Sequence, residues 1–273
     1  MRMVVKIAGA LLESEETVRT LAQQVVKLAH AGHELLVIHG GGKIFTATLK
    51  RMGIESRFVG GLRVTDRETR DVAAMVFGGL LNKRLSGAIS LAGQAAIGIS
   101  AADGACFRAE PMSHNEAIGG LGFVGYLTGV DVEFLESLWR ENLIPVASCL
   151  GLGPDGELYN INADHMAAAC AEYCHADRLI FLTDVAGVLD DGKVLKAVSG
   201  ADVEELIRHN KVSGGMILKL EASKRALAGG VREVRIVGGT RPGTLISAAN
   251  GAQGPGTRVV QMYVADELKA ATL

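Results

Sequence analysis

A chain of 273 residues is about twice the commonest domain length of ~100–150, so it makes one large domain or two packed lobes with a sizeable core. Its 28 Lys+Arg against 30 Asp+Glu give a net charge of −2, without the basic excess of a nucleic-acid or anionic-membrane binder. Hydrophobic residues at 48% exclude a disordered chain, and 35 Gly beside only 5 Pro place the glycines at specific turns rather than in a linker.

The chain enters an apolar strand at 4–8, closed by Gly9, and its first residues carry no leader-type apolar region, so no secretory signal is expected. Apolar runs fall far short of the ~20 residues that span a bilayer, so a cytoplasmic protein is expected. Residues 13–31 carry Val18, Leu21, Val25 and Leu28 at helical spacing; Ser14 caps this helix, and Glu15 and Glu16 suit its positive end. Residues 34–39 (ELLVIH) predict a second strand, ending in Gly40-Gly41-Gly42 before a helix at 44–52. This βαβ rhythm implies a parallel sheet covered on both faces. Residues 57–64 read as a hairpin about Gly60-Gly61. Thr65 to Glu68 reads as a capping box that starts a long helix to about Leu91. Strands at 96–100 and 143–149 flank a Gly-rich stretch at 104–126 and a helix from Asp131 to about Asn142. A short strand at 156–160, an Ala-rich helix at 164–174 and a strand at 178–183 follow, with the natural division near Ala176. The rest reads as a turn at Asp190-Asp191-Gly192, helices at 201–209 and 215–228, a strand at 233–237, a helix at 242–249 and a strand at 258–260.

Glycine turns between strand and helix are anion sites, because N–H groups and the helix dipole face the ligand. Gly120, Gly122 and Gly125 fit G-x-G-x-x-G, as do Gly151, Gly153 and Gly156. Neither run leads directly into a helix, so both read as ordinary turns rather than dinucleotide fingerprints. Gly40-Gly41-Gly42-Lys43 lacks the upstream Gly and the Ser/Thr of a Walker A loop, which leaves strand–HGGG–helix as an anion cradle of another kind. Lys6 stands inside an apolar strand, where a lysine either snorkels to water or faces an anion at the strand's carboxyl end. Lys219 poses the same question, and alone it reads as a solvated helix lysine. Cys106, Cys149, Cys170 and Cys174 lack a metal-binding pattern and are expected as buried or free thiols.

The segments VVKIAGALLE (4–13), VIHGGGK (37–43), GGLRVTD (60–66), NK (82–83), YNINAD (159–164), TDVAGVL (183–189), GGMILK (214–219) and GTRVV (256–260) occur in that order. Together they resemble the amino-acid kinase superfamily, and within it the N-acetyl-L-glutamate kinase branch, over nearly the whole chain. GLRVTD combined with NINAD sets that branch apart from the carbamate, aspartate, uridylate and glutamate 5-kinases. The resemblance implies a three-layer αβα sandwich around a central, mainly parallel sheet. Residues 1–176 would form the acyl-amino-acid-binding lobe and 177–273 the ATP-binding lobe. The implied reaction is phosphoryl transfer from MgATP to the side-chain carboxylate of N-acetyl-L-glutamate, giving N-acetyl-L-glutamyl 5-phosphate and ADP, the second step of arginine biosynthesis. A carboxylate nucleophile is already ionised at neutral pH, so no general base is expected.

Carried onto this chain, the resemblance makes Lys6, Lys219 and Asp164 the catalytic group, with Asp164 orienting both lysines. Gly41, Gly42, Arg63 and Asn160 would bind the acylated amino acid, Arg63 forking onto its α-carboxylate. Gly9, Thr183, Asp184, Gly187, Val188, Lys211, Val212 and Ser213 would line the ATP site. Mg²⁺ would ride on the phosphates without a protein ligand. Two departures stand out. Ala8 replaces a usual glycine, where a positive φ would become costly. The stretch 98–104 and Tyr126 also differ, which opens the acyl preference to N-succinyl-glutamate. Because Lys6 lies almost at the start, there is no room for the extra helix that builds arginine-inhibited hexamers, and an arginine-insensitive homodimer is expected. The alternatives are a silent small-molecule sensor on the same fold and a dinucleotide-dependent dehydrogenase.

Overall fold

The computed structural model describes residues 1–112, 120–251 and 254–261. β1 (Arg2–Ile7) leads through a 3₁₀ turn into α1 (Glu15–His30), and β2 (Glu34–His39) into α2 (Gly42–Arg51). The hairpin β3 (Phe58–Val59) and β4 (Leu62–Arg63) precedes α3 (Arg67–Ala73), which continues as a π-helical stretch at Ala74–Leu81 and then as α4 (Asn82–Leu91). Next come β5 (Ala96–Ile99), β6 (Phe107–Pro111), β7 (Val124–Val130), α5 (Val132–Arg140), β8 (Ile144–Ser148), β9 (Leu150–Leu152), β10 (Leu158–Ile161) and α6 (Ala163–Tyr173). The remainder is β11 (Arg178–Thr183), the hairpin β12 (Leu189–Asp190) and β13 (Lys193–Val194), β14 (Ala197–Ser199), α7 (Gly200–Arg208), α8 (Gly215–Ala228), β15 (Glu233–Gly238), α9 (Thr244–Asn250) and β16 (Thr257–Val260). None of the described helices is long and apolar enough to cross a membrane.

Eight strands form one sheet in the order β14-β16-β15-β11-β1-β2-β8-β5. All neighbours are parallel except β15 and β16. The sheet is therefore continuous across the expected division near 176. The chain builds outward from β1 to one side through β2 and returns through β11 on the other, so the strand order reverses between β1 and β11. That switch point leaves a crevice at the carboxyl ends of the strands, where α/β sheets take ligands.

Side chains alternate across a strand, and β1 shows the consequence directly. Met3, Val5 and Ile7 pack with Leu21 and Val25 of α1, Leu85 of α4 and Leu245 of α9. Val4 faces the opposite layer with Met166 of α6 and Leu220 of α8. Helices thus cover both faces of the sheet, as the resemblance implied. Lys6, two residues beyond Val4, is delivered to the α6–α8 side by the same alternation.

The helix starts follow their caps. Ser14 Oγ accepts from Thr17 N at 3.2 Å, and Asp131 accepts from Phe134 N at 2.9 Å. The box read at Thr65 is corrected by one residue: Asp66 accepts from Thr69 N at 2.8 Å, while Thr65 is buried and donates to the Arg63 carbonyl. Sequence periodicity missed β9 and β14. It also missed that β10, β7, β6 and β9 close into a small barrel. The stretch read at 104–126 lies partly outside the described residues.

Ala8 sits at φ −66 and ψ 142, an extended conformation open to any residue, and its N–H donates to Leu182 O at 2.9 Å. The expected strain at this position is absent. Ala8→Gly should therefore only loosen the unfolded chain, lowering stability by about 0.4–1 kcal/mol in urea unfolding. A more stable variant would show that the alanine is strained.

Candidate active site

Three buried charged side chains from three elements meet at the switch point. Lys6 Nζ of β1 lies 2.7 Å from Asp164 Oδ1, and Lys219 Nζ of α8 lies 2.9 Å from Asp164 Oδ2. The Lys219 contact has hydrogen-bonding geometry. The Lys6 contact is an ion pair without it, so Oδ1 lacks a hydrogen bond. Asp164 is placed by the start of α6, where Asn162 Oδ1 accepts from the N–H groups of Asp164 at 2.9 Å and His165 at 3.1 Å. Burial works to raise the Asp164 carboxyl, but the two ammonium groups outweigh it and hold it at about 2. Burial lowers Lys219, with Lys6 adding to it, while Asp164 and Asp184 pull the other way. Two ammoniums thus share one carboxylate, and the surplus positive charge borders a cavity.

That cavity measures about 240 Å³ and is lined by Lys6, Asp164, Gly9, Gly41, Gly42, Arg63 and Asn160, among others. Every catalytic and substrate-binding residue expected from sequence except Lys219 faces it, and Lys219 reaches it through Asp164. Gly9 and Gly41 stand face to face: a Cβ on Gly9 would come within 2.6 Å of the Gly41 backbone. A Cβ on Gly41 would run into Leu81 and Phe77 of the π-helical stretch. The glycines are needed here for close approach of backbone to backbone. Gly41 N–H and Gly42 N–H find no acceptor among the described residues, as expected at the start of α2. They form a donor pair at the positive end of a helix.

Arg63 is buried, with only 8% exposed, and no carboxylate among the described residues pairs with it. Its guanidinium lies between the rings of Phe45 and Phe58, 4.8 and 4.5 Å from their centroids. It donates to Thr46 Oγ1 at 2.6 Å and to Ser56 Oγ. Burial lowers the Arg63 pKa. A buried cation held by π-faces and hydroxyls keeps its charge available to an incoming anion. Asn160 Nδ2 donates to Thr65 Oγ1 at 3.2 Å, and Asn160 lines the cavity.

The residues expected around ATP are spread over the loops after β11 and before α8. Ala8 N–H bonds Leu182 O and Gly239 N–H bonds Thr183 O, so the turn after β1 and those after β11 and β15 lie side by side. Thr183 Oγ1 donates to Asp184 at 3.1 Å. A Cβ on Gly187 would approach Thr257 Oγ1 at 2.8 Å, and Val188 N–H donates to that same hydroxyl. Val188 and Val212 are buried packing residues. Lys211 Nζ bridges Asp190 at 2.8 Å and Asp191 at 3.1 Å, beside a second cavity of about 330 Å³. Ser213, just ahead of α8, accepts through its carbonyl from Met216 N–H. Tyr126 is exposed and donates to Glu110 at 2.9 Å.

Sequence reasoning missed Asn162, Thr46, Ser56, and the pair His39 and Asn82. Asn162 carried a signal, a cap-type residue two positions before Asp164. His39 is fully buried, and burial lowers its imidazole to about 4. The four cysteines are buried free thiols, and burial pushes Cys149, beside the cavity, to about 12.

A sequence profile of the amino acid kinase family matches residues 1–238. The chain is 49% identical to the acetylglutamate kinase of Koribacter versatilis over 263 residues, covering 95% of this chain and 99% of the relative. It is 42% identical to the acetylglutamate kinase of Brucella canis over 267 residues, covering 94% and 90%. Among solved structures, N-acetylglutamate synthase from Neisseria gonorrhoeae, in complex with coenzyme A and N-acetyl-glutamate, superposes with a TM-score of 0.85 at 24% identity. This chain is covered completely but spans 64% of the synthase, a likeness of fold alone.

Two outcomes follow from the charges. Asp164 titrates lower folded than unfolded, so its stabilisation is complete above the unfolded value near 4 and is lost as pH falls through about 2. Asp164→Asn should cost about 3–5 kcal/mol in urea unfolding at pH 7, because two buried ammoniums lose their partner; a loss under about 1 kcal/mol would contradict the ion triad. His39 also titrates lower folded than unfolded. Below pH 6.5 the unfolded chain takes up a proton that the folded chain refuses, so stability falls as pH drops from 6.5 to about 4. An NMR titration of the His39 ring should show its midpoint near 4, and a midpoint above 6 would contradict the burial argument.

Proposed function

The chain belongs to the amino acid kinase family, and we propose that it transfers the γ-phosphoryl group of MgATP to the side-chain carboxylate of N-acetyl-L-glutamate. The products are N-acetyl-L-glutamyl 5-phosphate and ADP, the second step of arginine biosynthesis. One observation carries this reading: Arg63, buried without a carboxylate partner among the described residues, faces the same cavity as the Lys6–Asp164 pair and the glycine N–H groups. Identity of 49% with an acetylglutamate kinase over nearly the whole chain supports it.

The acceptor carboxylate is ionised at neutral pH, so the bond from its oxygen to phosphorus forms without a base while the bond from phosphorus to the β,γ-bridging oxygen breaks. The substrate's α-carboxylate takes the open side of the Arg63 fork, and Asn160 bonds the amino-acid portion. Gly9, Gly41 and Gly42 donate backbone N–H groups to the transferring phosphoryl or the acceptor. Lys6 and Lys219 neutralise the charge that builds on the transferring group and on the leaving phosphate, and Asp164 holds both ammoniums in place. Thr183, Asp184, Gly187, Val188, Lys211, Val212 and Ser213 line the nucleotide. Mg²⁺ arrives as part of the substrate. Asp164, which lines the cavity, is committed to two lysines, so Mg²⁺ would be held by phosphate oxygens and water rather than by this carboxylate, and would supply charge neutralisation on the phosphates. Residues 1–176 serve the acyl amino acid and 177–273 the nucleotide. The working unit is a cytoplasmic homodimer; light scattering should give twice the chain mass, and a hexamer would overturn that assembly.

ADP release with MgATP should be seen with N-acetyl-L-glutamate and not with aspartate, free glutamate or UMP. Turnover with N-succinyl-L-glutamate instead would keep the mechanism and change the acyl group. Arg63→Ala should raise the KM for the acyl amino acid about 10–100-fold and leave the KM for ATP within about threefold. Lys6→Ala and Lys219→Ala should instead lower kcat by about 10²–10³. An unchanged acyl-substrate KM in Arg63→Ala would misplace the α-carboxylate.

A further inference from the structure

Two fully buried polar side chains take no part in the proposed chemistry, yet they connect to the loop that does. Asn82 stands at the junction of the π-helical stretch and α4, and His39 ends β2 just before Gly40. Asn82 Nδ2 donates to Val146 O of β8 at 2.8 Å, which fixes which way its amide faces. The same nitrogen lies 3.3 Å from His39 Nε2, so Nε2 is the acceptor and the ring proton sits on Nδ1. His39 Nδ1 then donates to Gly40 O at 3.1 Å.

The Gly40–Gly41 peptide is planar and trans, so its N–H points opposite to its C=O. Fixing Gly40 O toward the His39 ring therefore fixes the Gly41 N–H away from it. A Cβ on Gly9 would meet both Gly41 Cα and Gly41 N at 2.6 Å, Gly41 lines the cavity, and its N–H has no acceptor among the described residues. Without the His39 bond this peptide could rotate, because glycines on both sides impose little restraint.

We propose that His39, held by Asn82, is a positioning residue that aims the Gly41 N–H at the transferring phosphoryl group. This rests on the kinase reading above. The relay runs from a β8 carbonyl through Asn82 and His39 to one peptide plane, and it touches neither substrate. It couples the sheet to the cradle through groups that exclude water. Its effect belongs on kcat rather than on either KM, because a donor aimed at the transferring group matters most in the transition state.

Two measurements test it. In the unmodified protein at pH 7, long-range proton–nitrogen NMR should show His39 protonated on Nδ1 and bare on Nε2; the opposite tautomer overturns the proposal whether or not any variant folds. In kinetics with MgATP and N-acetyl-L-glutamate, His39→Leu should lose about 10–100-fold in kcat with both KM values within about threefold. His39→Asn places an amide N–H near the old Nδ1 and should recover most of that loss. A folded His39→Leu with full kcat, or a His39→Asn no better than His39→Leu, overturns it. Absence of turnover in the unmodified protein would instead defeat the kinase reading, while the tautomer would still report on the relay.

Discussion

Two ammonium groups and one carboxylate share a volume nearly closed to water, and the molecule is organised around keeping them together. Removing such charges from water costs several kcal/mol per ion, recovered only when geometry is good and each charge has a partner. Lys6, Asp164 and Lys219 come from β1, α6 and α8, so all three elements must be in register at once. The alternation of β1 points Lys6 toward α6 and α8, and Asn162 fixes the first turn of α6 so that Asp164 faces inward. The arrangement remains under-neutralised, which makes a buried anion the natural completion of the site.

Arg63 meets the same problem by a different route. Its charge is shared with two aromatic faces and two hydroxyls rather than with a carboxylate. A carboxylate partner would cancel the field that an incoming anion needs, whereas rings and hydroxyls orient the guanidinium and leave the charge in place. In the proposed reaction, lysines neutralised in part would meet a mobile phosphoryl group, and an arginine in a fixed fork would meet a planar carboxylate.

Much of this was legible in the sequence. The strands at 34–39 and 178–183 and the helix at 215–228 coincide with the reading, because long periodic segments with clear ends leave little choice. A lysine inside an apolar strand announced an unusual environment, and the resemblance named its partners. Other features were hidden for physical reasons. The barrel strand β9 is three residues long and Gly-centred, too short for any period to show. Asp66 and Thr65 are both good caps, and only the buried position of Thr65 against Asn160 decides between them. Thr46 and Ser56 look like ordinary polar residues until the hairpin folds Arg63 over them. His39 and Asn82 are 43 positions apart, and nothing local joins them.

The titrating groups around the cavity explain why the site suits a reaction without proton transfer. Asp164 is held at about 2 by its lysines, His39 at about 4 by burial, and the Cys149 thiol at about 12 by the same cause. Each is moved away from neutrality, in the direction that freezes its charge. General acid–base chemistry asks for the opposite, a group tuned toward the working pH. Asp164, His39 and Cys149 therefore keep their charge states between pH 5 and 8 and contribute a constant electrostatic frame, and phosphoryl transfer to an ionised carboxylate needs such a frame and correct placement rather than a proton donor or acceptor. Burial here stabilises the fold and also removes the proton as a variable.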